Sequence, residues 1–328
     1  SFAKYEVTGT GAHALLERVC ANRVPAKDGA VVLSQMLTPL GGIESEATVT
    51  RLAKDHYYLL SGAVAELHDF DWLVQHIEPG EEAHVANATD DIGVLVLTGP
   101  NARDVLSQLT EDGLTNQDGF TWMTARDITV ADIPVRALRL SYAGELGWEL
   151  HHPMNQMPTL YDALMKAGAA FELRLFGTYA LNSLRMEKGY RHWSHDITDE
   201  DSPLEAGLGF AVRMNKANGF IGHAALAAQK ENGLDRRMVQ FRLQDPKPLV
   251  YHNEPIWRDS KLVGHITSGA YGHTLGGCIG LGYVHVDRGA KAAEILSGRY
   301  EIEVAGERIA ADASLRPMYD PDNERIRR

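Results

Sequence analysis

Apolar and polar positions alternate from Phe2 to Val7, and after Thr8-Gly9 the spacing changes to that of a helix, with Ala12, Leu15, Leu16 and Val19 on one face. The same change recurs 90 residues on, where Val94 to Leu97 and Thr98-Gly99-Pro100 lead into a helix carrying Ala102, Val105, Leu106 and Leu109. Aligning Val7 with Leu97 brings strand, turn and helix into one register. This predicts two related β-α-β halves within one pseudo-symmetric α+β unit. Between the halves the pattern gives strands Val31 to Leu37, Ala47 to Leu52 and Tyr57 to Ser61, then an amphipathic helix near Ala63 to Ile77. Two further helices are expected at Gln156 to Ala167 and Tyr179 to Lys188.

A hairpin sits between these blocks. Leu138, Leu140 and Tyr142 read as a half-buried strand, Ala143 to Gly147 as a glycine turn, and Trp148 to Leu150 as the return strand. Glu149 then stands at the mouth of an apolar cleft, where its carboxylate can accept two donors side by side from a flat heterocycle. The same local pattern also accommodates a solvent-facing acid paired with a lysine.

From about Arg236 the texture becomes short strands with Gly, Asp and Pro between them: Met238 to Leu243, Glu254 to Arg258, Lys261 to Thr267, Ile279 to Val286 and Glu301 to Val304. These predict a small antiparallel barrel or sandwich, residues 236–328, beside an α+β domain, residues 1–235. The glycines from Gly276 to Gly282 precede no helix, so they are not a phosphate cradle.

Composition narrows the function classes. The net charge of -12 and the lack of a long basic run argue against nucleic acid as a partner. Apolar runs such as Ile92 to Leu97 are far shorter than the roughly 20 residues that span a bilayer. Cys20 and Cys278 have no metal-type spacing and are read as free thiols of a reducing compartment. His192 and His195, with Asp196 beside them, have the composition of a metal pair, but no third ligand is evident and no metal is expected. The stretch from Gly189 to Asp196 is read instead as an aromatic, histidine-rich loop lining a cavity. The chain opens inside a strand without an initiator Met, and Ser1 is read as a point within a larger polypeptide or a processed chain.

Several ordered segments carry a family resemblance: Met36 to Arg51, Tyr142 to Glu149, Leu184-Arg-Met-Glu-Lys-Gly189, Pro203 to Leu208 and Gly264 to Gly269. Together they resemble the aminomethyltransferase family, the T-protein of the glycine cleavage system, over nearly the whole chain. The wording from Ala180 to Trp193 is similar to the folate-binding C-terminal half of dimethylglycine and sarcosine dehydrogenases.

The resemblance implies a cloverleaf of ferredoxin-like α/β subdomains and a C-terminal barrel around a tetrahydrofolate site. It places Glu149 on the pterin ring and Tyr142 in the same pocket. It also puts Glu46 where the family usually has an aspartate near the reacting folate nitrogen, and Leu33 where a tyrosine is common. Glu44, two residues earlier on the same strand face, is the other acid in reach. The implied activity is capture of a methylene group, derived from a small N-methyl amine, as 5,10-methylenetetrahydrofolate. No Gly-x-Gly-x-x-Gly follows a strand anywhere, so FAD is expected only on a missing upstream flavin domain of the native polypeptide. The alternatives are a freestanding folate-dependent demethylase and a non-catalytic folate-binding or scaffold module. A bacterial cytoplasm or a mitochondrial matrix is the expected setting, with no targeting segment in this chain.

Overall fold

In the computed structural model, which describes residues 2–328, the two sequence repeats become two sheets of one topology. The first unit runs β1 (Phe2–Thr8), α1 (Ala12–Val19), β2 (Val31–Leu37), β3 (Ile43–Ala53), β4 (His56–Gly62) and α2 (Glu66–Gln75), with β5 (His84–Asn87) added at its edge. The second runs β6 (Ile92–Thr98), α3 (Ala102–Leu106), β7 (Ala125–Val130), β8 (Ile133–Leu138), β9 (Gly147–Pro153) and α4 (Met157–Gly168). Strand orders are β2-β3-β4-β1-β5 and β7-β8-β9-β6, and every strand pair is antiparallel. The repeat is therefore present, but its unit is β-α-β-β-β-α and not a parallel β-α-β crossover. After the first helix, three consecutive strands zigzag back to the opening strand, and only antiparallel neighbours allow such short connections.

The helical spacing predicted the buried faces of α1 and α3 well, but not that of α5 (Thr178–Glu187), which buries Ser183, Arg185, Met186 and Glu187 and leaves Ala180 exposed. Ala12, Leu15, Leu16 and Val19 are all fully buried against the first sheet. Ala102, Val105 and Leu106 do the same on the second, around Trp148 and Phe120. A smaller cluster of Val31, Tyr58, Leu60, Ala125 and Leu138 joins the two units. There the sheet edges also bond, with Val31 N–H donating to Met123 O at 3.0 Å and Ala125 N–H to Gly29 O at 2.7 Å.

The central hairpin differs from expectation. Strand β8 ends at Leu138, so Leu140 and Tyr142 belong to an irregular connection that covers residues 139–146. The buried Arg139 follows, its main chain still bonded to Met123 and Thr124 and its guanidinium to Asn116 and the Phe120 carbonyl.

After α5 (Thr178–Glu187), a long irregular segment and α6 (His223–Asn232) lead to the barrel: β10 (Arg236–Leu243), β11 (Pro255–Arg258), β12 (Lys261–Gly272), β13 (Gly277–His285), α7 (Ala292–Leu296), β14 (Tyr300–Val304) and β15 (Glu307–Ser314). Its order, β10-β13-β12-β11-β14-β15, closes on itself. The glycines from Gly276 to Gly282 turn into and form β13, in line with their rejection as a phosphate loop. Both cysteines are free and buried. Among the described residues no helix is long and apolar enough to cross a membrane.

The end of α5 ties the parts together. Arg185 pairs with Asp196 of the following loop. The buried Glu187 accepts from Thr274 N–H at 2.7 Å and Leu275 N–H at 2.8 Å, which caps the β12-β13 turn. Lys188, also buried, pairs with Asp320 of the C-terminal segment at 2.9 Å. Three charged residues in four positions thus hold loop, barrel and tail.

Candidate functional site

The two sheets, α5, the loop after it, the barrel and the tail line a central, half-open cavity of about 2040 Å³. Glu46, Leu33, Tyr142 and Glu149 all line it, so residues spread over more than one hundred sequence positions share one space. His192 and His195 line it as well, their rings 4.7 Å apart and edge-on. The reading of that loop as a cavity wall holds, and no group of three or more His, Cys, Asp or Glu able to hold a metal occurs among the described residues.

Glu149 lies on β9 and is 3% exposed. Among the described residues its carboxylate has one side-chain partner, His151, at 3.3 Å. The solvent-facing alternative for this acid is thereby removed. A carboxylate has about four lone-pair positions, so this one keeps most of its accepting capacity for whatever enters the cavity. A buried carboxylate left this short of partners is costly unless a ligand supplies donors.

Tyr142 packs its ring nearly parallel to Tyr190, centroids 5.9 Å apart, and donates its hydroxyl to the Arg191 carbonyl at 2.8 Å. Burial pushes the Tyr142 hydroxyl well above its ordinary pKa, so it remains a donor. The tyrosine thus braces the loop while presenting apolar surface inward. Leu33, paired with Thr48 across β2 and β3, adds an apolar patch.

Glu46 accepts from Gln35 Nε2 at 2.8 Å. Burial raises its carboxyl above the ordinary glutamate range, against the pull of the Gln35 hydrogen bond and of the Arg191 charge. A carboxyl raised in this way is suited to taking up and holding a proton. Glu44 does not share the position. Across β2 and β3, Met36 faces Ser45 and Leu37 faces Ile43, which leaves Glu44 as the extra residue of a β-bulge. Its carboxylate turns to His68 Nε2 at 2.7 Å, so the two acids are not on one face. The neighbouring Gly41 and Gly42 serve the loop and not a ligand. Gly41 has φ of 87°, and a Cβ on Gly42 would meet the Asp199 carbonyl at 1.7 Å.

Gln35, which bonds Glu46, and Arg191, which lines the cavity, are neighbours of Glu46 that sequence reasoning missed. Gln35 lies on the buried half of β2, and the only sequence signal for it is a lone amide inside the otherwise apolar end of a predicted strand. Arg191 was hidden inside the aromatic loop.

Residues 1–216 match the GCVT N-terminal domain and residues 236–320 match the glycine cleavage T-protein C-terminal barrel domain. The chain belongs to the glycine cleavage T-protein family. An aminomethyltransferase of Halothermothrix orenii is 34% identical over 88% of this chain and 79% of its own length. Mitochondrial dimethylglycine dehydrogenase of Homo sapiens is 37% identical over 100% of this chain but only 37% of its own length. The chain therefore spans little more than a third of that relative. The fold matches glycine cleavage system aminomethyltransferase T from Bartonella henselae, with TM-score 0.84 and 24% identity, over 98% of this chain and 84% of that one. Family membership supports a one-carbon-transfer domain of the folate-dependent kind.

Proposed function

We propose that this T-protein family chain is the tetrahydrofolate-binding, one-carbon-transfer portion of an N-methyl-amine dehydrogenase of the dimethylglycine or sarcosine type. The observation that carries the reading is Glu149, a buried and under-bonded carboxylate in the wall of a large cavity. Tetrahydrofolate supplies the amine nitrogens that accept a one-carbon unit, giving 5,10-methylenetetrahydrofolate. In this reading Glu149 holds the pterin edge, Tyr142 and Leu33 give it apolar walls, and Glu46 takes the proton released at the reacting nitrogen. The electrophilic carbon arrives as the iminium of a small N-methyl amine oxidised on an upstream flavin domain. Its bond to that amine breaks as its bonds to the two folate nitrogens form, one released proton leaving with the amine and the other going to Glu46.

The test compares two acids of the same hairpin. Glu149→Ala weakens tetrahydrofolate binding by more than about tenfold, because a charge-assisted hydrogen bond contributes about 1.5–3 kcal/mol. Glu145→Ala has the smaller effect. Glu145 accepts from Tyr319 and lies 4.0 Å from Arg325, so it fastens the tail and not the ring pocket. Equal losses measured by calorimetric titration would refute the assignment.

A second reading has its own support, since Leu33 contributes no polar group and Glu46 stands in for an aspartate. That reading is a folate-binding module without turnover, and an assay with formaldehyde and tetrahydrofolate separates the two. Because Gly9 to Ala14, the one Gly-x-Gly-x-x-Ala stretch after a strand, opens α1 in an antiparallel sheet and not in a parallel β-α-β crossover, the purified chain is expected to be colourless and inactive as an amine oxidase. A stoichiometric flavin absorbance band is the contrary result.

A further inference from the structure

Behind Glu149 lies a buried polar relay that no part of the proposed function uses. His151 Nε2 is 3.3 Å from Glu149 Oε2, and His151 Nδ1 is 3.0 Å from the Tyr58 hydroxyl. All three residues are buried, Tyr58 on β4 of the first sheet and the other two on β9 of the second. Tyr58 faces Glu6 across β1 and β4, and Glu149 faces Val96 across β6 and β9. With the sheets superposed by their shared topology, Tyr58 and Glu149 occupy equivalent positions. The pseudo-symmetry axis thus brings a tyrosine and a glutamate toward each other, and His151 bridges them.

Resting on the folate reading of Glu149, we infer that His151 is a positioning residue: its Nε2–H orients the Glu149 carboxylate toward the cavity, and Tyr58 sets which ring nitrogen carries the proton. Burial lowers the His151 pKa, so its ring is neutral and has a single N–H. Glu149, as a carboxylate, can only accept, which requires that hydrogen on Nε2. Nδ1 is then an acceptor, and Tyr58, whose hydroxyl burial keeps protonated, donates to it. The other charges around the ring are occupied elsewhere. Arg136 of β8 lies over the Tyr58 ring at 5.0 Å and 3.8 Å from Glu6, and Lys4 Nζ donates to the Phe2 carbonyl at 2.8 Å. A fixed donor on one oxygen leaves Glu149 a single orientation in which to meet a ligand edge, the usual task of a partner placed behind a binding group.

The experiment measures tetrahydrofolate affinity for His151→Leu, His151→Gln and Glu149→Gln, with a tetrahydrofolate analogue that bears methyl in place of the 2-amino group as the second ligand. His151→Leu is expected to lose about tenfold in tetrahydrofolate affinity, and His151→Gln, whose amide can donate from the Nε2 position, to stay within about threefold. The His151→Leu penalty is expected to shrink with the analogue, which offers Glu149 one donor fewer. Nitrogen NMR of the wild type is expected to show Nδ1 without a proton, and Tyr58→Phe to lose that tautomer lock. A protonated Nδ1 in the wild type, or a His151→Leu penalty equal for both ligands, overturns the inference. Loss in Glu149→Gln without loss in His151→Leu overturns it while sparing the folate reading, whereas no loss in Glu149→Gln removes the folate reading itself. The wild-type NMR decides the matter if His151→Leu does not fold.

Discussion

Glu46→Gln is expected to lower the rate of methylene-folate formation about 10²–10⁴-fold while tetrahydrofolate affinity stays within a few fold, the pattern of a lost general base. Glutamine keeps the shape of the side chain and its place beside Gln35, so binding contacts persist and only the proton acceptor is lost. Glu44→Gln is the internal control, because the bulge that turns Glu44 to His68 takes it off the cavity wall. Stability supplies a second readout. The raised Glu46 pKa means that the native state binds this proton more tightly than the unfolded chain does. Stability therefore falls as pH rises from the ordinary glutamate range through the raised value, and the deficit is fully present above it. The uncharged Gln removes that deficit, so at neutral pH the variant is expected to melt no earlier than the wild type. A variant that melts earlier and loses turnover in proportion would make Glu46 a structural acid. Unchanged turnover in both variants would favour the binding-module reading.

Asp196→Ala is expected to destabilise the protein by about 3–5 kcal/mol, because it strands a buried cation. Asp196 is 0% exposed and Arg185 is 2% exposed. The carboxylate also accepts from Thr267 of β12 and from the His192 N–H at 2.9 Å, so one residue links α5, the cavity loop and the barrel. Asp322→Ala, which breaks the exposed pair with Arg316 at 2.7 Å, is expected to cost less than about 1 kcal/mol. Urea titration of both variants checks the contrast. Tetrahydrofolate affinity should fall in Asp196→Ala even under conditions where it remains folded, since the loop bearing His192 and His195 loses its anchor. Equal costs for the two substitutions would mean that the α5 joint carries no special share of the stability.

The sequence by itself was enough for much of what depends on local periodicity, although the alternating strand β8 went unread and the alternation of Leu138, Leu140 and Tyr142 gave no strand. The faces of α1 and α3, the strands β2 and β4, most of the barrel strands and the 90-residue repeat all follow from where apolar residues recur along the chain. The motifs likewise pointed to the family and to Glu46, Tyr142, Glu149 and Leu33 before their shared cavity was in view. Elements with weak periodicity escaped: α6 is largely alanine and polar residues with one buried side chain, Leu226, and β15, the sixth barrel strand, has few apolar positions. Register and long-range closure belonged to the tertiary structure alone. A single bulged residue separates Glu44 from Glu46, although simple alternation puts them on one face. The motif from Leu184 to Gly189 reads in sequence as a helix end, and becomes a three-way joint only when Asp196, Thr274 and Asp320 arrive from elsewhere. Tyr58 meets His151 across 93 positions because two sheets share a pseudo-symmetry axis. Hydrophobic pattern dictates which face of an element turns inward, but which polar groups meet there depends on how separate elements dock, and that is a property of the whole folded chain.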